Sequence, residues 1–325
     1  MRSIALVLTF VFGLALSTPA IVSAQPASYP PSIMFSTLLN GVQVHPIQGV
    51  FRLYQIQAVF LPEIPSNDVY IYSPENGGTL TSILKRADGS TVAEFVWYAE
   101  KLKPPYWLLG SYKVREPGSG WDANPQFKLT TAGDYVVEFL LDGKIFYRYP
   151  FSLEVLGSND PYNPQPIYRL NGAWNDYAYL LYADADVSKP LMFKIWLRNT
   201  GKEKRQDVKV TGALRQGGKE LARFGEFPLN YSLSADWVRY EITFGQFKTT
   251  QFNSKLWHTS LKAEELLKNG TYEVVVEFDG KTYGVWEFKV KNGQIEPQGR
   301  QVRTSTDPLD FIEGGKDAFW SKRSK

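Results

Sequence analysis

Two histidines, His45 and His258, are the whole stock of imidazole in the chain, and neither has a partner at ligand or relay spacing. A zinc centre needs three or four ligands, and a nucleophile relay needs a base beside a serine or cysteine. The chain has no cysteine. That excludes disulfides, thiolate metal sites, a cysteine nucleophile and lipidation at a cysteine. No G-x-S-x-G, glycine-rich phosphate loop or H-E-x-x-H motif occurs. Asn159-Asp160, Asp184 and Asp186 are the only carboxylate-rich points with a calcium flavour. Calcium wants six to eight oxygens, so they read as turn residues. The expectation is a protein with no catalytic residue, no metal and no cofactor.

The aromatic residues are a better lead. They make up 15% of the chain, with 19 Tyr and 9 Trp. In LMFKIWLRN (191–199), Leu191, Phe193, Ile195 and Leu197 alternate onto one face, which leaves Trp196 on the other with Lys194 and Arg198. In WVRYEITF (237–244), Val238, Tyr240, Ile242 and Phe244 form the apolar face, and Trp237 lies opposite beside Arg239 and Glu241. Indoles among charges are expected either to be covered by Arg and Lys stems or by the neighbouring domain, or to form a platform that stacks on a sugar ring or anchors a protein partner. Tyr106 and Trp107, after two prolines, and Trp121, in the loop GSGWDANP, are further binding candidates, because loop aromatics often belong to sites. The closing stretch LDFIEGGKDAFWSKRSK adds Phe311, Ile312, Phe319 and Trp320, apolar anchors in a charged tail suited to docking on a partner or on the protein's own domains.

The elements that carry these residues are strands. AGDYVVEFLLDGK (132–144) and NGTYEVVVEFDGK (269–281) are near-copies 137 residues apart. In each, a Tyr opens an alternating run (Tyr135, Val137, Phe139, Leu141; Tyr272, Val274, Val276, Phe278) that ends in Asp-Gly, which predicts a strand closed by a two-residue type I′ turn. The return strands break their alternation between Phe146 and Tyr149, and again between Tyr283 and Trp286, which predicts a β-bulge in both. KRADGSTVAEF (85–95) and LRQGGKELARF (214–224) are a second matching pair, each a turn leading into a strand. One short helix is expected over 263–268, capped at Ser260.

Leu129 and Leu266 each lie six residues before the repeated Tyr. A Leu, a Gly-containing corner and a Tyr opening a late strand resemble the tyrosine corner of immunoglobulin-like sandwiches. The expected fold is therefore all-β, with two tandem immunoglobulin-like antiparallel β-sandwiches. Their expected extents are 25–156 and 167–292, joined by the proline-rich linker 157–166 and followed by a flexible tail over 293–325. Residues 1–24 read as a cleaved signal peptide: Arg2, an apolar stretch from Ile4 to Leu16, and the small-residue site Val22-Ser23-Ala24. That stretch is shorter than the roughly 20 residues a membrane span needs. The net charge of +3 is spread in short clusters, which argues against a nucleic-acid surface.

Together these features predict an exported, non-catalytic binding or assembly module, periplasmic or extracellular. Its partner would be another protein or a glycan, with no nucleic acid and no transmembrane segment after signal cleavage. Paired sandwiches in the periplasm are also the architecture of pilus-assembly chaperones. That reading ranks below carbohydrate binding, because the chain is longer and the basic cleft positions of that family have no match in its sequence.

Overall fold

The computed structural model describes residues 32–33, 37–38, 41–59, 80–101, 106–122, 126–157, 162, 165–182, 187–199, 201, 205–224, 230–234, 236–246, 259–296 and 318–324. These described residues are nearly all β, with 69% of them in strands and 5% in helix. The first half runs through β1 (Ser32–Ile33), β2 (Val42–Val44), β3 (Phe51–Leu53), β4 (Ile56–Val59), β5 (Leu80–Arg86), β6 (Thr91–Lys101), β7 (Tyr106–Arg115), β8 (Gly133–Leu141) and β9 (Lys144–Leu156). Then come β10 (Ile167–Asn171), a 3-10 turn (Ala173–Asp176), β11 (Tyr177–Tyr182), β12 (Leu191–Leu197), β13 (Arg205–Gln216), β14 (Lys219–Phe224) and β15 (Asn230–Ser234). The chain continues with β16 (Val238–Thr243), β17 (Gly245–Gln246), β18 (Thr259–Ser260), α1 (Ala263–Leu266), β19 (Gly270–Phe278), β20 (Lys281–Lys291), β21 (Gln294–Ile295) and β22 (Ala318–Lys322).

Both repeated hairpins form as their sequences predict. Asp142 and Gly143 have φ of 49° and 75°, and Asp279 and Gly280 have 48° and 75°, the positive values a type I′ turn requires. In β8–β9 the register slips after Phe139, which pairs Tyr147 while Leu140 pairs Ile145, so Phe146 is the bulged residue. In β19–β20 the slip follows Val276, and Tyr283 is bulged. The upstream hairpins match too: β5–β6 shifts between Leu84 and Lys85, and β13–β14 between Leu214 and Arg215. Each half thus contains one antiparallel run of the same order, β6-β5-β8-β9 and β14-β13-β19-β20.

Both corners are closed by the tyrosine hydroxyl. Tyr135 donates to the Thr131 carbonyl (2.7 Å). The Tyr272 hydroxyl accepts from the Lys268 N–H (2.5 Å) and lies within donor range of the Leu266 (3.1 Å) and Lys268 (2.8 Å) carbonyls. The short α1 occupies the second corner. Its cap is Lys262 rather than the expected Ser260, because the Glu265 carboxylate reaches back to accept from the Lys262 N–H.

Among the described residues β10 and seven strands of the first half form an eight-stranded sheet, β1-β4-β7-β6-β5-β8-β9-β10, and β2 and β3 pair in a separate two-stranded sheet. β10 therefore returns antiparallel onto β9, with Arg169 opposite Glu154, although linker residues separate the two strands in sequence. The second half forms a four-stranded sheet, β16-β12-β11-β22, facing the sheet that holds β14-β13-β19-β20. Leu180, Phe193, Ile195 and Leu197 from the former meet Val210, Val274 and Trp286 from the latter in one buried cluster. That two-layer arrangement is sandwich-like.

β22 lies within the segment expected to be a flexible tail. It pairs antiparallel with β11, and its neighbour Arg323 forms a bridge with Trp286 of β20. The Ser324 N–H donates to the Val285 carbonyl (2.7 Å), and the Ser321 hydroxyl to the Glu287 carbonyl (2.8 Å). The strand thus touches both layers and closes the seam between them. Gly284 of β20 leaves room for it: a Cβ there would stand 2.6 Å from Arg323 and 2.8 Å from the Trp286 ring.

One buried charge distinguishes the first half. Glu138 of β8 sits between Lys85 (2.8 Å) and Arg148 (2.9 Å), whereas Val275 holds the matching position in the second copy. Burial pushes its pKa up, but the two cations outweigh that, and the carboxyl lies below its ordinary value of 4.5. A depressed folded pKa gives stability that is full above 4.5 and lost as pH falls through the folded value. Urea midpoints of the protein and its Glu138→Gln variant should therefore differ at pH 7 and converge toward pH 3. A gap that widens on acidification would refute this role.

Candidate functional site

Among the described residues, an exposed tryptophan stands at the end of β7. There the chain turns through Glu116–Ser119, with the Ser119 N–H donating to the Glu116 carbonyl (3.0 Å) and the Glu116 N–H to the Ser119 hydroxyl (2.9 Å). The returning strand pairs Asp122 with Val114 by two backbone bonds, 2.7 and 2.9 Å. That fold-back delivers Trp121 onto Arg115, whose guanidinium lies 4.5 Å from the indole centre. Glu94, opposite Arg115 on β6, accepts from its Nε (3.0 Å) and Nη2 (2.6 Å) and holds the guanidinium in place over the ring. Trp121 remains 42% exposed.

Next to this pair lies a cavity of about 320 Å³, lined by Arg115 and by Gly120 and Asp122 on either side of Trp121 rather than by the indole itself. Val114 and Phe127 contribute apolar wall, and Glu116, Asp122 and Gln126 contribute carboxylate and amide groups. The volume is at the small end for ligand pockets. An exposed indole backed by a clamped arginine, with acceptors alongside, can stack on a flat apolar group and hydrogen-bond its edges. Nothing in this geometry is an activated nucleophile or an acid–base pair.

The other aromatic candidates are placed differently. Trp196 does lie on the opposite face of β12 from Phe193 and Ile195, but that face is not an outer one. Trp196 is 2% exposed, stacked on Trp320 (ring centres 6.1 Å apart, planes at 11°) and near Tyr179 (5.7 Å). Residues of β10, β11, β12 and β22 join the first half's cluster there, so the four-stranded sheet is covered on both sides. Trp196 therefore offers no open platform. Trp237 is half-buried: its Nε1 donates to the Leu170 carbonyl (2.9 Å), and Arg198 lies 4.8 Å over its ring. Val238, expected on the apolar face of β16, is exposed where that strand begins. Trp107 is buried in the first cluster, while the side chain of Tyr106 lies outside the described residues.

Of the tail anchors, Phe319 is buried in the second cluster and Trp320, 1% exposed, in the first, so both dock on the protein itself. Phe311 and Ile312 lie outside the described residues, as do His258, Asn159, Asp160, Asp184 and Asp186. His45 is a turn residue: its Nδ1 accepts from the N–H groups of Ile47 (3.3 Å) and Gln48 (3.1 Å). Among the described residues no group of three His, Asp or Glu is placed to hold a metal ion, and no helix is long and apolar enough to cross a membrane.

A second polar cluster, which the sequence did not point to, lies where β10 meets the end of β12. Arg169 donates through Nη2 to the Asn199 side chain, and Arg198 donates through Nη2 to the Asn171 side chain and through Nη1 to the Leu170 carbonyl (3.3 Å). Burial, then the like charge of Arg169, pushes the Arg198 pKa down to about 10. In sequence these arginines are isolated basic residues on alternating strands, with the pattern of solvated positions.

No protein-family model matches the chain, and neither a curated protein nor a solved structure shows significant similarity to it.

Proposed function

We propose that the protein is an exported, non-catalytic binding module of two tandem immunoglobulin-like sandwiches that engages another protein through the Trp121 groove. The observation that carries this reading is the exposed Trp121 stacked on Arg115, which Glu94 clamps in turn. Trp and Arg are the residue types that dominate interface energetics, and a pre-positioned pair loses little side-chain freedom on binding. The two hydroxyl-closed tyrosine corners and the shared strand order support the immunoglobulin-like description. The signal-like residues 1–24 support export.

A glycan ligand is the second reading. It is favoured by the carboxylates and amide of Glu116, Asp122 and Gln126 around the same cavity, because such groups suit sugar hydroxyls beside a stacking ring. Capture of proteins from the native host, run beside a glycan array, separates the two. Trp121→Ala is expected to weaken binding at least about 30-fold, the loss of roughly 2 kcal/mol typical of an interface anchor. Unchanged binding by a folded Trp121→Ala protein would remove the groove from consideration.

A further inference from the structure

We propose that Arg169 and Arg198 form a binding site for a small oxyanion, a carboxylate or a phosphate group, where β10 meets β12. This site is separate from the Trp121 groove and does not depend on that reading.

Arg169 is 4% exposed, and its Nε has no hydrogen-bond partner. Among the described residues neither Arg169 nor Arg198 has a carboxylate within ion-pair distance. Their anchoring partners, Asn199, Asn171 and the Leu170 carbonyl, are all neutral. Buried charges in folded proteins are ordinarily paired, and a buried donor without a partner is destabilising. Two adjacent guanidiniums held by neutral acceptors are therefore an incomplete constellation that one oxyanion would complete. Such a group accepts several N–H bonds at once and neutralises the mutual repulsion.

The residues around Arg169 reach the surface. Arg198, Asn171 and Trp237 are half-buried, and Glu154, the cross-strand neighbour of Arg169, is exposed. Glu154 is close enough to raise the pKa of both arginines through its charge, yet it pairs with neither. It stands as a competitor at the rim, and an incoming oxyanion must displace its influence.

The test is calorimetric titration of the full chain with inorganic phosphate and with acetate, against chloride at equal ionic strength, alongside thermal midpoints. Saturable binding is expected for at least one oxyanion. It should tighten in Glu154→Gln and weaken by about tenfold or more in Arg198→Gln, the loss of one charge-assisted contact. Saturation by phosphate alone identifies a phosphate group as the natural ligand chemistry, and saturation by acetate identifies a carboxylate. A non-saturating rise in midpoint that is equal in all three proteins is general salt stabilisation and overturns the proposal. So does the absence of heat with both anions in Glu154→Gln, a variant that leaves the arginines in place.

Discussion

Replacing Trp320 with alanine is expected to destabilise the protein by about 3–5 kcal/mol, the range for truncating a fully buried tryptophan. The residue lies near the end of the chain, where truncations are ordinarily tolerated. Here it fills the space between Trp196 and Tyr179, with ring centres at 6.1 and 4.8 Å, and anchors the strand that touches both layers of the second half. Its neighbour Phe319 points into the other cluster, so β22 is buried on both faces. Denaturant midpoints of Trp320→Ala and Trp121→Ala make the comparison internal. The surface change is expected to alter stability by about 0.5 kcal/mol or less. Equal effects would mean that β22 is not part of the cooperative fold.

Tyr272→Phe is expected to cost about 1–3 kcal/mol, because it strands the Lys268 N–H and removes the donor shared by the Leu266 and Lys268 carbonyls. Tyr135→Phe removes one bond to the Thr131 carbonyl and should cost about 1 kcal/mol. The two corners share the Leu, Gly and Tyr positions, but only the second contains α1, whose last residue Leu266 and the following Lys268 supply the additional backbone groups. Urea titration of both variants checks the ordering. A larger loss at Tyr135 would show that the hydroxyls are not what closes the corners.

The parts of this structure that were legible in the sequence are local. Tyr135 and Tyr272, the Asp-Gly turns and the bulges at Phe146 and Tyr283 are set by period-two alternation and by φ preferences over a dozen residues. The alternation of β12 was legible too, down to the face that carries Trp196. What covers that face was not, because alternation separates two faces and cannot say whether a second layer lies beyond either. The layer comes from the first half's cluster and from Tyr168 and Leu170 of β10, while β22 extends the sheet of β12 itself. The tail read as polar and aperiodic because β22 is five residues long, too short to establish a period, and is buried on both sides. Arg169 was invisible for the same reason: its partner Asn199 is thirty residues away.

Trp121 was legible only as a loop aromatic. Its significance comes from the fold-back of Asp122 onto Val114, which places it over Arg115 and beside the cavity. That placement, with exposure where Trp196 and Trp320 have none, makes the groove the contact surface on which the functional reading depends.

The most direct test installs a photo-crosslinking side chain at Ser119, on the rim of the groove, and separately at Tyr162, exposed elsewhere, in protein expressed in its native host. Irradiation is expected to yield a discrete protein adduct from position 119, absent from position 162 and lost when Trp121→Ala is added. Adducts that are the same at both positions, or that persist without the Trp121 indole, would contradict a partner-binding groove.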